Sequence, residues 1–207
     1  MTMIKRLRFL PFLFLFLAPV QAETSTSPMD VVRATSEQVF EELRQHDELS
    51  DAQINRLIDK VIMPHVDFEA FSRLILARHW RRASPEQREA FIREFRRMLT
   101  RTYASSLNQY SGESIEYLME RNDGDGQALV RTQVVRPNGP AIPVDYRLRR
   151  KGDKWLVYDV TIEGVSLIIN YRSSFQQIIR QRGLDGLIRQ LVERDGLGQS
   201  AKAATES

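Results

Sequence analysis

The hydrophobic pattern divides the chain into a helical first half, a block of strands and a helical end. As far as about residue 109, apolar residues recur every three to four positions, which is typical of amphipathic helices. The predicted helices cover residues 29–45, 50–62, 68–77 and 86–109. The longest of them begins with a capping box and a proline at its first helical position, between Ser84 and Gln87.

After Gly112 the hydrophobic period changes from that of a helix to the alternation of a strand. Four strands are predicted, starting near Ile115, Ala128, Ile142 and Trp155. The turns between them are short, so successive strands must pair as antiparallel hairpins and form a meander.

Two further helices are expected at 171–181 and 185–194, with Gly183 and Gly196 as stops. The order of elements predicts an α+β fold, in which a four-stranded antiparallel meander sheet is wrapped by about six to seven helices. The long helix and its neighbours should cover one face of the sheet. Polar side chains such as Arg131, Asp145 and Arg147 should point away from that face.

The first 22 residues have the layout of a secretory signal peptide. A basic start precedes an apolar run from Phe9 to Val20, and Val20 and Ala22 are small residues of the kind that a signal peptidase recognises. A helix that spans a membrane needs about 20 apolar residues. This run is shorter, and it contains Pro11 and Pro19. We expect cleavage after Ala22 and export of the remaining chain.

The remainder is predicted to be one domain over residues 23–196 with a disordered tail at 197–207. The full chain has 30 Lys and Arg against 27 Asp and Glu, and the leader carries three of the basic residues. The exported chain is therefore balanced in charge and lacks the basic surplus of a nucleic-acid-binding protein.

Candidate catalytic and metal-binding groups are sparse. The chain has no cysteine, which excludes disulfides and thiolate metal sites, and His46, His65 and His79 lack the spacing of metal ligands. Ser166 does not lie in a nucleophile elbow, because Ile168 stands where the second glycine of that motif would be. We therefore predict no catalytic residue, no metal and no cofactor.

Two interpretations stay open on the residues alone. In an enzyme acting on a small apolar substrate, a strand carboxylate, Asp145 or Asp159, would be the general acid or base. In a docking or chaperone module, the apolar faces would simply meet in a filled core. Periodicity by itself favours a filled core over a ligand cavity.

A series of residue blocks follows a recognisable order along the chain, at 64–67, 80–88, 91–95, 103–110, 137–139, 155–160, 163–167, 170–172 and 183–187. In this order the blocks resemble the MlaC family, the periplasmic phospholipid carriers of the maintenance-of-lipid-asymmetry system, also called toluene-tolerance proteins. Each block is weak alone, but the ordered series spans nearly the whole exported chain.

The resemblance implies a fold similar to the NTF2-like class, with a deep pocket between sheet and helices that holds phospholipid as cargo. It also implies a periplasmic location, an inner-membrane ABC lipid transporter complex and an outer-membrane lipoprotein–porin complex as partners, and no catalysis. Two acyl chains would need a pocket near or above the top of the usual range of about 300–1,000 Å³.

The resemblance also suggests which residues form the site. Expected in the acyl pocket are Phe71, Phe95, Tyr103, Leu107, Val144, Tyr146, Val165 and Leu167. Expected at the mouth, where a phosphate could accept charge-assisted hydrogen bonds, are Tyr110, Arg147 and Arg172.

Overall fold

The computed structural model of this chain describes residues 26–46, 49–107 and 109–193. The predicted leader (1–22), the predicted tail (197–207) and the helix stop at Gly196 lie outside the described residues. Within the described part, no helix is both long enough and apolar enough to cross a membrane.

Six α-helices are described. They are α1 (Pro28–Arg44), α2 (Asp51–Leu57), α3 (Phe68–Leu76), α4 (Arg78–Arg82), α5 (Pro85–Leu107) and α6 (Leu167–Glu193). Between α2 and α3 the chain continues as a π-helical turn (Ile58–Ile62) and a 3₁₀ turn (Met63–His65). The helix predicted over 50–62 therefore changes its hydrogen-bonding pattern before the proline that ends it.

Five antiparallel strands form one sheet in sequence order. They are β1 (Ser114–Gly124), β2 (Gln127–Val135), β3 (Ile142–Lys151), β4 (Lys154–Ile162) and β5 (Val165–Ser166). The predicted α+β class and meander are confirmed, and the strand count differs only by the two-residue β5. The two helices predicted at the end are one element, α6, broken where Gly183 adopts φ 69° and ψ 177°.

Helix α1 covers one face of the sheet. Its N-terminus is fixed by a capping box, in which the Ser27 hydroxyl accepts from the Asp30 N–H and the Asp30 carboxylate accepts from the Ser27 N–H. Val32 packs into a small buried cluster with Val130, Leu148 and Val157 of the sheet. The prediction that the long helix covers this face was wrong, because α1 occupies it.

Helices α3, α5 and α6 form a separate layer around a filled aromatic core. The Phe95 ring lies at its centre, with centroids 5.3 Å from Phe71, 5.6 Å from Phe91, 5.5 Å from Tyr171 and 6.1 Å from Phe175. Most of these contacts are edge-to-face, a favourable arrangement for aromatic rings. Little space is left between such side chains.

The helical layer is joined to the sheet at β4. The Asp67 N–H donates to the Val157 carbonyl at 2.8 Å, and Asp67 Oδ1 accepts from the Ala70 N–H at the start of α3. Arg149 Nε of β3 lies 2.7 Å from Asp67 Oδ2, although the Asp67 side chain is almost fully buried. One aspartate thus caps a helix and ties it to two strands.

A bulge in β4 changes which side chains face α1. Leu148 pairs with Val157, but the next residue back on β3, Arg147, pairs with Asp159, so Tyr158 is the extra residue. Val157 and Val160 consequently lie on the α1 side of the sheet. Asp159 lies on the opposite side, although simple alternation from Val157 predicted the same face.

Candidate functional site

An apolar cavity of about 250 Å³ lies between α1, the π and 3₁₀ turns, and the sheet. We call it the apolar cavity. Its lining residues are Val31, Val32, Thr35, Ser36, Val39, Phe40, Ile62, His65, Val66, Leu107, Ile115, Val134, Tyr146, Val157 and Val160. All four long strands contribute to it, as expected for a space above the face of a sheet.

The walls stay apart because short side chains dominate them. Valines from α1 face valines from β2 and β4, and neither set is long enough to fill the space between. An apolar space of this size leaves its lining side chains without the contacts that a filled core would give them, which costs stability. Such a void is the expected form of a site that an apolar ligand fills.

The polar groups at the cavity are few and mostly held by other protein groups. Ser36 donates to the Val32 carbonyl, and its oxygen lies 3.0 Å from the Tyr117 hydroxyl. Burial raises the pKa of Tyr146 to about 12, so its phenol stays neutral. Burial, together with the charge of Lys154, lowers the pKa of His65. These shifts favour neutral groups in the cavity walls.

A second concavity of about 500 Å³, the outer cleft, adjoins the apolar cavity. Its lining residues are Leu43, Arg44, His46, Leu49, Leu107, Tyr110, Ser111, Gly112, Glu113 and Ser114. It is far more polar than the apolar cavity. Arg44, half exposed, pairs with Glu41 at 2.7 Å, and Glu113 accepts hydrogen bonds from Ser111.

Leu107, the last residue of α5, lines both spaces. Phe40 lines the apolar cavity and Tyr110 lines the outer cleft, and their ring centroids lie 5.7 Å apart. An amphipathic ligand could therefore extend from one space into the other past Leu107, with its apolar part in the apolar cavity. The arrangement suits a molecule with a hydrocarbon tail and a charged head.

Only two of the eight residues predicted for the acyl pocket, Leu107 and Tyr146, line the apolar cavity. Phe71 and Phe95 lie in the aromatic core of the helical layer, where packing is dense. The partly buried Tyr103 and Leu167 pack against that same core. None of these four residues lines the apolar cavity, because it lies beside α1 and only Leu107, at the end of the long helix, reaches it.

The other two predicted pocket residues lie on the sheet. Val144 is buried on the α1 side of β3 but does not line the apolar cavity. Val165, on the short edge strand β5, is 56% exposed. An apolar residue next to a turn resembles a core residue in sequence, and its exposure follows from its position at the edge of the sheet.

Among the three residues predicted for the mouth, only Tyr110 lines the outer cleft. Arg147 is exposed on the face of the sheet opposite α1. Arg172 donates from Nε and Nη2 to the Leu74 carbonyl at 2.9 and 2.6 Å, and so it ties α6 to the end of α3. Neither arginine lines the outer cleft.

The two carboxylates considered as a general acid or base, Asp145 and Asp159, do not line the apolar cavity. Asp145 lies 3.3 Å from Arg131 on the solvent side of the sheet. Asp159 is buried, and its two oxygens accept hydrogen bonds from the Ser166 hydroxyl and the Ile168 N–H. It therefore shares the capping of α6 with Ser166, whose hydroxyl oxygen accepts a hydrogen bond from the Ile169 N–H. Among the described residues, no three His, Cys, Asp or Glu side chains cluster as metal ligands would.

Sequence reasoning missed most of the apolar cavity. The missed residues include Val31, Thr35, Val39, Phe40 and Val160. One signal was available, since α1 carries the valines Val31, Val32 and Val39, whereas α3 and α5 carry none. Small β-branched residues on a helix facing a valine-rich sheet leave space, whereas aromatic residues fill it.

The comparisons with known proteins bear on the whole chain. Residues 33–193 match the profile of the family described as MlaC protein. The chain belongs to the MlaC family. This confirms the family inferred from the ordered blocks of residues. The match covers every strand and α1 from residue 33 onward, so it includes all residues that line the apolar cavity except Val31 and Val32.

Two curated MlaC-like relatives cover most of the chain. The intermembrane phospholipid transport system binding protein MlaC of Haemophilus influenzae is 27% identical over 185 residues, 86% of each chain. The toluene tolerance protein ttg2D of Pseudomonas putida is 28% identical over 171 residues, 81% of this chain and 80% of its own.

A solved structure extends the similarity to three dimensions. The phospholipid-binding protein of Ralstonia solanacearum, solved in complex with a phospholipid, superimposes with a TM-score of 0.76 at 28% identity. The alignment covers 83% of this MlaC-family chain and 98% of the other. The shared fold thus includes one protein that holds a phospholipid.

Proposed function

We propose that this protein binds phospholipid, with acyl chain in the apolar cavity and head group in the outer cleft, and carries it between membranes. The apolar cavity is the observation that carries the proposal, because nothing in a filled core would require it. The H. influenzae relative, named for intermembrane phospholipid transport, and the phospholipid complex of the R. solanacearum protein support the same function.

Energetics explain why such a carrier is needed. Burying a methylene group is worth about 0.8 kcal/mol, so exposing an acyl chain of about 16 carbons to water costs on the order of 10 kcal/mol. A free phospholipid therefore leaves a membrane very slowly. A protein that offers similar burial lowers this barrier without its own energy source, and differences in affinity at its partners give the direction.

The apolar cavity must widen to accept this cargo. At about 250 Å³ it lies below the usual range of about 300–1,000 Å³ for ligand pockets, and far below the volume expected from the sequence for two acyl chains. We place the movement at α1, since this helix forms one whole wall, and at Leu107, which lies between cavity and cleft.

The proposed site contains fewer residues than the sequence predicted. Leu107, Tyr146 and Val160 contact the acyl chain, and Tyr110 and Arg44 face the head group. The Arg44 guanidinium group can donate charge-assisted hydrogen bonds to a phosphate. About half of the Arg44 side chain is exposed, although it forms an ion pair with Glu41.

The location and partners follow from the same function. The predicted leader supports a periplasmic protein. There it would exchange lipid with an inner-membrane ABC transporter complex and an outer-membrane lipoprotein–porin complex, which helps to maintain lipid asymmetry of the outer membrane. It would do so without catalysis, as a binding protein.

The direct test is to purify the protein from cells, extract it with organic solvent and quantify phospholipid by mass spectrometry. We expect lipid in near-stoichiometric amount, and transfer of labelled phospholipid from donor to acceptor vesicles at a rate that rises with protein concentration. A protein that carries no phospholipid and accelerates no transfer would contradict the proposal.

A further inference from the structure

The hydroxyl of Thr35 is a buried polar group without a partner in a wall that is otherwise apolar. Thr35 lies on α1 and lines the apolar cavity, and its Oγ1 atom is inaccessible and makes no hydrogen bond in the described part of the chain. Buried hydroxyl groups nearly always have a hydrogen-bond partner, so an exception calls for an explanation.

The neighbouring serine shows that the exception is specific. Ser36 donates back to the Val32 carbonyl, as Ser and Thr in helices commonly do, and also meets the Tyr117 hydroxyl. Thr35 makes no such bond. Of the described residues with a buried unpartnered side-chain atom, Thr35 alone lines the apolar cavity; Ser72 and Tyr171 belong to the helical layer.

The missing partner must be a hydrogen-bond acceptor that the walls of the apolar cavity do not supply to Thr35. The hydrocarbon part of a lipid has no such acceptor. Between the phosphate and the methylene groups of a diacyl phospholipid, the acceptors are the ester carbonyl oxygens.

We propose that, once the apolar cavity widens to accept its cargo, the Thr35 hydroxyl becomes accessible and donates a hydrogen bond to an ester carbonyl oxygen of the bound lipid. The proposal rests on the proposed function, and it adds a basis for specificity. The protein binds ester-linked lipids more tightly than ether-linked lipids with the same head group and chains, because an ether-linked chain has no carbonyl oxygen to meet Thr35.

The test compares binding of diacyl phosphatidylglycerol with binding of its dialkyl ether analogue. Thr35→Val keeps the shape of the side chain and removes only the donor. We expect Thr35→Val to weaken binding of the diacyl lipid by about three- to tenfold and to leave binding of the dialkyl lipid unchanged. Thr35→Ser, which keeps a hydroxyl, should retain most of the preference.

Thr132→Val is the matched control. Thr132 is a buried threonine of β2 whose Oγ1 donates to the Val144 carbonyl, so its hydroxyl is already used within the protein. This variant should lose stability but keep the ester preference.

Four results would overturn the proposal. Equal weakening of both lipids by Thr35→Val would assign the hydroxyl to the phosphate or to packing, and no weakening of either would leave it without a role in binding. If the wild type binds diacyl and dialkyl lipid equally, the preference is absent although the carrier function stands. If the wild type binds neither lipid, the proposed function itself fails.

Discussion

The Ser36 side-chain oxygen of α1 and the Tyr117 hydroxyl of β1 lie 3.0 Å apart, so a hydrogen bond joins two walls of the site. The Arg33 guanidinium group lies 4.1 Å from the centroid of the same tyrosine ring. Tyr117 thus holds α1 against the sheet through both its hydroxyl and its ring. The hydroxyl contact can be removed without changing the ring.

We expect Tyr117→Phe to loosen α1. Loss of one hydrogen bond should lower the free energy of unfolding by about 1 kcal/mol and speed lipid exchange severalfold, because α1 separates from the sheet more easily. Stopped-flow release of a fluorescent phospholipid would measure the rate. Tyr158→Phe is the control, since the Tyr158 hydroxyl bonds Gln127 elsewhere on the sheet; similar release rates in both variants would contradict a role for α1.

Filling the apolar cavity should exclude the cargo without unfolding the protein. Val160→Trp places an indole ring in a void of about 250 Å³, so we expect at least about tenfold less co-purifying phospholipid and an unfolding temperature that is unchanged or higher. Val165→Trp, at a position 56% exposed, should keep its lipid. Lipid retained by Val160→Trp at wild-type amount would place the cargo elsewhere.

The buried pair of Asp67 and Arg149 should matter for stability. Asp67→Asn leaves the Arg149 guanidinium group, 29% exposed, without its partner and weakens the cap of α3. We expect a loss of about 3 kcal/mol in chemical denaturation. Glu69→Gln, which breaks the exposed pair with Lys151 at 3.5 Å, should change stability little. Equal losses of stability in the two variants would show that burial does not strengthen the Asp67–Arg149 pair.

Asp159 should be structural rather than catalytic. Asp159→Asn removes the charge from the acceptor that caps α6, and we expect a loss of about 1–2 kcal/mol in stability with unchanged lipid transfer between vesicles. Asp145→Asn, on the solvent side of the sheet, is the comparison for a carboxylate outside the core. A hydrolytic activity that disappears only in Asp159→Asn would favour the enzyme alternative instead.

His65 should make stability depend on pH. Because burial and Lys154 lower its pKa in the folded protein, the unfolded chain binds more protons between that lowered value and the ordinary value of about 6.5. The contribution of His65 to stability is present above about pH 6.5 and is lost as the pH falls toward the lowered pKa. Unfolding temperatures measured from about pH 8 to pH 5 should fall less steeply in His65→Gln than in the wild type. Equal slopes would show that His65 is not responsible.

Much of the fold was predictable because local signals agree with the tertiary structure. Capping residues place the starts of α1, α2 and α5, and alternating apolar residues with short turns predict the meander. The bulge at Tyr158 was not predictable, since a single extra residue leaves the apolar pattern of β4 nearly unchanged. It nevertheless moves Asp159 to the other face of the sheet and Val160 into the cavity wall.

The site was predicted only in part for a related reason. Tyr110, Leu107 and Tyr146 line one of the two spaces, whereas Phe71, Phe95 and Val165 do not. Periodicity shows that a side chain faces inward, but it does not show which inward face it meets. Large aromatic residues suggested a pocket, although such residues fill space and small residues leave it.

The sequence by itself determined the helix and strand types, the meander order, the charge balance and the family, because each depends on residues near one another in the chain or on their order along it. Only the tertiary structure decided that the hollow lies between α1 and the sheet and that Thr35 keeps a hydroxyl unpartnered there. Both depend on the distance between walls more than 60 residues apart in the chain. That distance follows from how all the elements pack together.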